Sequence, residues 1–291
     1  METTPSFRAR VAIVHRSFLT VLTDSGEQLI PSPPGVDITV GDWLLVEHET
    51  FRVIRVLERK SLIARIAAGR EPRPQSIAAN VDTLFVVTSC NEDFNLSRLE
   101  RYLALAFDAR VTPVIVLTKA DLCTDVEVFI SAAQSIASGV SVVTVDATDA
   151  PVVLATLRPW LTADQTVAFV GSSGVGKSTL VNALLGASIQ ATATIREDDA
   201  KGRHTTTARF LLRAPDGFWL IDTPGMRELR IGGVTSGVSK AFADVETLAK
   251  ECRFRDCQHG DDVGCALRAA IAAGHLELRR LDSYLKLGRE A

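Results

Sequence analysis

Over residues 7–67 apolar and polar positions alternate in short runs: Arg10-Val-Ala-Ile-Val14, Phe18-Leu-Thr-Val-Leu22, Trp43-Leu-Leu-Val46 and Phe51-Arg-Val-Ile-Arg-Val56. Turn-forming groups at Asp24-Ser-Gly26, Pro31-Ser-Pro-Pro-Gly35 and Gly41-Asp42 separate them. Short strands at this spacing predict a small all-β barrel over residues 1–68. Residues 69–76, Gly-Arg-Glu-Pro-Arg-Pro-Gln-Ser, read as a proline-broken linker. Beyond it the period changes. The apolar runs Thr83–Thr88, Val114–Leu117, Val140–Val145, Thr166–Val170 and Phe218–Ile221, with an amphipathic stretch over Leu96–Phe107, predict an α/β domain with a parallel sheet over residues 77–232. A mostly helical section, residues 233–291, closes the chain. It carries a helix over Val238–Ala249 and amphipathic helices over Leu267–Ala273 and Leu276–Leu287, whose Arg268, Arg279, Arg280 and Lys286 are expected to face outward.

Several loops at the ends of the central strands carry recognisable chemistry. Gly171-Ser172-Ser173-Gly174-Val175-Gly176-Lys177-Ser178 matches G-x-x-x-x-G-K-[ST] in full, and lies between an apolar run and the helical pattern Thr179-Leu-Val-Asn-Ala-Leu-Leu185. Such a loop turns backbone N–H groups onto phosphates at a helix N-terminus, sends Lys177 to the outer phosphates and gives the Ser178 hydroxyl to Mg²⁺. Asp222-Thr-Pro-Gly225 follows Phe218–Ile221, so Asp222 can hold Mg²⁺ through water and the Gly225 N–H can sense a γ-phosphate. Thr118-Lys119-Ala-Asp121 ends another strand. Asp121 can accept both N–H groups of a guanine edge while Lys119 lies along the base, which favours GTP over ATP. Asn is the commoner first residue of this motif, and the shorter Thr118 predicts a weaker tie to the phosphate loop. After Val140–Val145, Ala147 offers a backbone N–H for a second base contact.

Between the phosphate loop and Asp222 lies a polar stretch, Ala187–Thr207, in the place of a first switch, with Thr205 and Thr206 both candidates for Mg²⁺. Arg196 and Arg203 are either solvated or neutralise phosphate charge. The residue after Gly225, where Ras-like enzymes carry the water-orienting Gln, is Met226. His204 is the best remaining polar side chain to hold the attacking water, although a loop histidine is more often a bystander.

Five cysteines are present, three of them in Cys252-Arg-Phe-Arg-Asp-Cys257-Gln-His259-Gly-Asp-Asp-Val-Gly-Cys265. Three thiols and an imidazole form a closed four-ligand set for one structural Zn²⁺ per chain, and metal use of this kind suits a reducing compartment. Cys90 and Cys123 read as ordinary packed residues. With 291 residues and 46% hydrophobic content the chain has material for two or three domains. No apolar stretch reaches the ~18 residues of a membrane span and no leader pattern opens the sequence, so the expected setting is cytoplasmic, without membrane association. The net charge of −3 does not advertise nucleic-acid binding. Over residues 1–68, eight basic and eight acidic side chains leave open whether the barrel touches RNA or is only structural.

The motifs occur in the order T-K-x-D, phosphate loop, D-x-P-G, a circular permutation of the usual GTPase order; with the second base contact and the first switch it runs G4-G5-G1-G2-G3. Together with Lys201-Gly-Arg-His-Thr-Thr-Thr207 and the cysteine cluster, this order resembles the RsgA (YjeQ/YloQ) family of circularly permuted GTPases. The likeness runs across nearly the whole chain. It implies an OB-fold for the barrel, a P-loop GTPase domain binding GTP and GDP with Mg²⁺, a catalytic role for His204, and the zinc ligands Cys252, Cys257, His259 and Cys265. It also implies a monomer acting with the 30S small ribosomal subunit and its 16S rRNA late in assembly, stimulated by the subunit and then dissociating. The competing reading is a nucleotide-gated RNA-binding or metal chaperone with little turnover.

Overall fold

The computed structural model describes residues 5–66, 74–136, 139–186, 209–222, 235–260 and 262–290. Five antiparallel strands open the chain: β1 (Ser6–Val14), β2 (Phe18–Thr23), β3 (Gly26–Pro31), β4 (Trp43–Glu47) and β5 (Val53–Val56), in the order β3-β2-β1-β4-β5. β1 pairs with both β2 and β4, which is the arrangement of a partly open OB-type barrel. Alternate residues Ala9, Val11, Leu19, Val21, Leu44 and Val46 fill its interior. β6 (Leu62–Ile66) and β7 (Pro74–Ala79) form a separate antiparallel pair, joined to the barrel by a bridge between Val40 and Ala78. The expected linker therefore includes strand: residues 74–76 belong to β7, while 67–73 lie outside the described residues.

The second sheet has the order β10-β9-β8-β11-β13-β12, built from β8 (Thr83–Ser89), β9 (Thr112–Thr118), β10 (Ser141–Val145), β11 (Thr166–Val170), β12 (Phe210–Arg213) and β13 (Trp219–Asp222). All its pairings are parallel except β12 with β13. Both faces are covered, so its strands read as continuous apolar runs. In β8, Leu84 and Val86 point to one core with α1 (Leu96–Asp108), α2 (Val126–Ser135) and α5 (Thr235–Ala241), while Phe85 and Val87 point to the other, with α3 (Ala150–Leu157) and α4 (177–186). Asn95 caps α1, accepting from Arg98 N at 2.9 Å, and Asp149 caps α3 in the same way.

The barrel docks where β11 and β13 begin. Arg10 of β1 is buried between the rings of Trp43 and Trp219 and donates to Thr166 Oγ1 at 2.6 Å. Burial lowers its pKa to about 10 against the pull of Asp82 and Asp164.

The stretch expected as one helix over Val238–Ala249 is two, α5 and α6 (Ala243–Ala249), followed by α7 (Ala266–Ala272) and α8 (Leu278–Glu290). Gly237 brings α5 against α1 so closely that a Cβ there would stand 2.0 Å from Ala104 O. Of the basic side chains expected to face outward, Arg268 and Lys286 do so, whereas Arg279 and Arg280 turn to Glu100. This α1 carboxylate is fully buried and takes hydrogen bonds from Arg279 at 3.0 and 3.1 Å and from Arg280 at 2.8 Å. Arg280, only 5% exposed, also bonds Asp244 and stacks on Phe242. An ionised carboxylate on the inner face of α1 requires a cation, and α8 supplies it.

Candidate nucleotide site and metal centre

The sequence climbs from β8 to β9 and β10 on one side of the sheet, then restarts at β11 and moves to β13 on the other. The topological switch point thus lies between β8 and β11, where open α/β sheets bind ligands at the carboxyl ends of their strands. In register, Ser89 and Val145 both stand opposite Thr118, while Ala168 pairs with Ile221. The ends of β9, β10, β11 and β13 therefore share one edge, and their loops carry Thr118–Asp121, Ala147, Gly171–Ser178 and Asp222.

The phosphate loop has the expected strand-loop-helix setting. Gly171 adopts φ +148°, and a Cβ there would meet Val87 O at 2.1 Å, so the neighbouring strand leaves room only for glycine. Lys177 opens α4 and its Nζ donates to Ser172 O. Ser173, Gly174, Ser178 and Thr179 are exposed, whereas Val175 is buried.

Thr118 corrects the expectation of a loose tie. Its side chain is fully buried, and its hydroxyl contacts Val175 O at 2.6 Å and Thr88 O at 3.2 Å, so the shorter residue reaches the phosphate loop through a hydroxyl where an amide would otherwise serve. A Cβ on Gly176 would lie 3.6 Å from Thr118 and 3.7 Å from Ala147, which places three of the motifs in one cluster. Lys119, at φ 57°, breaks β9 and begins the 3₁₀ turn Ala120–Leu122, leaving Asp121 exposed. Asp146 accepts from the Thr148 hydroxyl and N–H at 2.7 and 2.8 Å; these bonds hold its carboxyl below its ordinary pKa and fix the turn in which Ala147 is buried. Asp222 ends β13 beside the loop. His204, Thr205, Thr206, Gly225, Met226, Arg196 and Arg203 lie outside the described residues.

The sequence reading missed Arg98. This first-turn residue of α1 donates to Ser172 Oγ and pairs with Asp93 Oδ1 at 3.1 Å. An arginine three residues after a capping Asn is the only trace of it in the sequence.

In the C-terminal section, ligand atoms of Cys252, Cys257, His259 and Cys265 all lie within 4.8 Å of one another. His259 Nδ1 stands 3.6 Å from Cys252 Sγ and 3.7 Å from Cys265 Sγ. The ligands of a tetrahedral thiolate-imidazole site are ~3.5–3.8 Å apart, given bonds of about 2.3 and 2.0 Å, so this donor set fits a metal ion. The backbone supports it: Ala266 N points at Cys252 Sγ (3.4 Å), and Arg268 Nε donates to the carbonyls of His259 and Gly260 at 3.1 and 2.9 Å. Among the described residues no helix is long and apolar enough to cross a membrane.

Comparison with known proteins agrees with this geometry. The model of the family described as RsgA GTPase matches residues 56–232. A Vibrio vulnificus protein named small ribosomal subunit biogenesis GTPase RsgA 2 is 52% identical over 283 residues, covering 97% of this chain and 80% of its own. The crystal structure of YjeQ from Thermotoga maritima superimposes with a TM-score of 0.71 at 24% identity, covering 98% of each chain. That of YloQ, described as a circularly permuted GTPase, gives 0.67 at 23% identity, covering 99% of this chain and 96% of the other. A G-x-x-x-x-G-K-S loop at the switch point, a Thr-Lys-x-Asp loop that precedes it in sequence, and half-identical relatives over nearly the full length of this chain together mean that the chain belongs to the RsgA GTPase family and is a GTP hydrolase.

Proposed function

We propose that this chain is a cytoplasmic, monomeric GTPase acting late in biogenesis of the small ribosomal subunit, engaging the 30S particle and its 16S rRNA in the GTP form and leaving after hydrolysis. The observation that carries the reading is the permuted nucleotide site joined in one chain to a barrel and a Cys₃His section, in a protein whose relatives bear the biogenesis name. Residues 1–68, 77–232 and 233–291 act as barrel, GTPase domain and metal-binding domain.

In the site, Asp121 and Lys119 take the guanine, the Ala147 N–H adds a second base contact, and Gly171–Thr179 with Gly225 wrap the phosphates. Ser178 and Asp222, with Thr205 or Thr206, supply hard oxygen donors for Mg²⁺, which when bound neutralises charge developing on the phosphates. His204 orients the attacking water, since Met226 cannot. Cys252, Cys257, His259 and Cys265 hold Zn²⁺, whose closed coordination stabilises the loop between α6 and α7.

In sequence Asp222 is followed directly by the C-terminal section that contains α5, so loss of the γ-phosphate can be felt there without crossing the sheet. Co-sedimentation with 30S subunits in the presence of a non-hydrolysable GTP analogue or GDP tests this: tighter binding with the analogue is expected, and equal binding contradicts it. His204→Ala is expected to lower subunit-stimulated turnover far more than GTP affinity. Undiminished turnover would remove His204 from the mechanism. The chaperone reading would gain only if subunits left turnover unchanged.

A further inference from the structure

Arg98 lies outside every nucleotide-binding motif and yet touches the phosphate loop. It is fixed from two sides: its backbone N–H is capped by Asn95 Oδ1, and its Nη1 pairs with Asp93 Oδ1 at 3.1 Å. The loop that carries Asp93 is itself braced, because Asn91 Oδ1 accepts from Ser89 Oγ at 2.8 Å and from Asp93 N at 3.0 Å. From this frame Arg98 donates to the hydroxyl of Ser172, whose carbonyl accepts from Lys177 Nζ. Ser172 is therefore held at its side chain by one cation and at its backbone by another.

We propose that Arg98 is a positioning residue for GTP and GDP binding: oriented by Asp93, it holds Ser172 so that the first turn of the phosphate loop is preformed with Lys177 against it. The loop then has less freedom to lose when phosphate arrives, and preorganisation of this kind appears as affinity. Asp93 Oδ2 is buried and takes no hydrogen bond among the described residues, so a small rotation gives the guanidinium a second place to bind when Lys177 turns to the phosphates. Because Arg98 acts through Ser172 and not on the γ-phosphate, it serves GDP and GTP alike and leaves the chemical step alone.

The inference rests on the nucleotide site and not on the ribosomal role, so it is tested without ribosomes. Full-length Arg98→Met, Arg98→Lys, Ser172→Ala and the Arg98→Met/Ser172→Ala double variant are titrated with fluorescent GDP and a GTP analogue, and hydrolysis is followed at saturating GTP. Arg98→Met should raise both dissociation constants roughly tenfold, the scale of one charge-assisted hydrogen bond, with saturated turnover within about twofold of the parent. Lysine should recover part of the loss, and the double variant should bind no more weakly than Arg98→Met. Unchanged affinity, additive losses in the double variant, or a defect confined to saturated turnover overturns the assignment. So does a binding loss that merely follows the unfolded fraction seen in thermal melts.

Discussion

Replacing Thr118 by valine removes one hydroxyl while nearly conserving volume. That hydroxyl is fully buried and has one short contact, 2.6 Å to Val175 O, and one longer, 3.2 Å to Thr88 O. A single hydroxyl hydrogen serves mainly the shorter contact, so one strong bond is lost, leaving a buried carbonyl short of a donor at a cost of about 1–3 kcal/mol. In a chain of this size each kcal/mol lowers Tm by about 2–4 °C. Because the contact joins the end of β9, which carries the proposed guanine contacts, to the Gly171–Ser178 loop, part of the loss should also appear as weaker nucleotide binding, tenfold for each ~1.4 kcal/mol so expressed. Thermal melts and fluorescent-GDP titration read both effects, with Thr118→Ser as the control that keeps the donor. A valine variant that melts and binds like the parent, or a serine variant as damaging as valine, would rule out this role for the Thr118 hydroxyl.

Gly171→Ala should abolish measurable GDP binding, since its Cβ would meet Val87 O at 2.1 Å; retained binding would mean that β8 and β11 separate easily. Stripping metal with a chelator, or Cys257→Ser, should release about one equivalent of zinc by colorimetric assay and reduce helical circular dichroism; release without a structural change would contradict a structural ion. Asp244 supplies a pH test. Partial burial opposes its ionisation, but hydrogen bonds and charge from Arg280 outweigh that and hold its pKa below the ordinary value. A depressed carboxylate contributes its stability in full above the unfolded-state pKa and loses it as pH falls through the lower folded value. The stability gap between parent and Asp244→Asn, from urea melts, should be constant from about pH 7 to 5 and shrink below about pH 4. A gap unchanged at pH 3 would exclude the ion pair as its source.

What could be read from the sequence was what contiguous spacing encodes. Gly171–Ser178 needs one strand, one loop and one helix in succession, and the cysteine cluster spans only 14 residues, so local pattern sufficed for both. Long-range contacts left fainter traces. Arg280 reads as one more charge on an amphipathic helix, and the fully buried Glu100, 180 positions earlier, turns it inward together with Asp244. Glu100 did carry a signal, as a lone acid beside Leu99 and close to Leu103 on the apolar face of α1. Arg10 likewise sits at a polar position of an alternating strand, because the outer face of β1 meets a second sheet at Trp219. Pro72, and Pro74 as the first residue of β7, masked its pairing with β6, and Arg98 could not be linked to Ser172 without the fold that brings α1 to the loop after β11.

The protein proposed above is a GTPase answering to one ribosomal subunit. Steady-state GTP hydrolysis by the zinc-replete protein, alone, with 30S and with 50S subunits, tests it most directly. Strong stimulation by 30S and none by 50S is the predicted result; no stimulation by either, or equal stimulation by both, would contradict it.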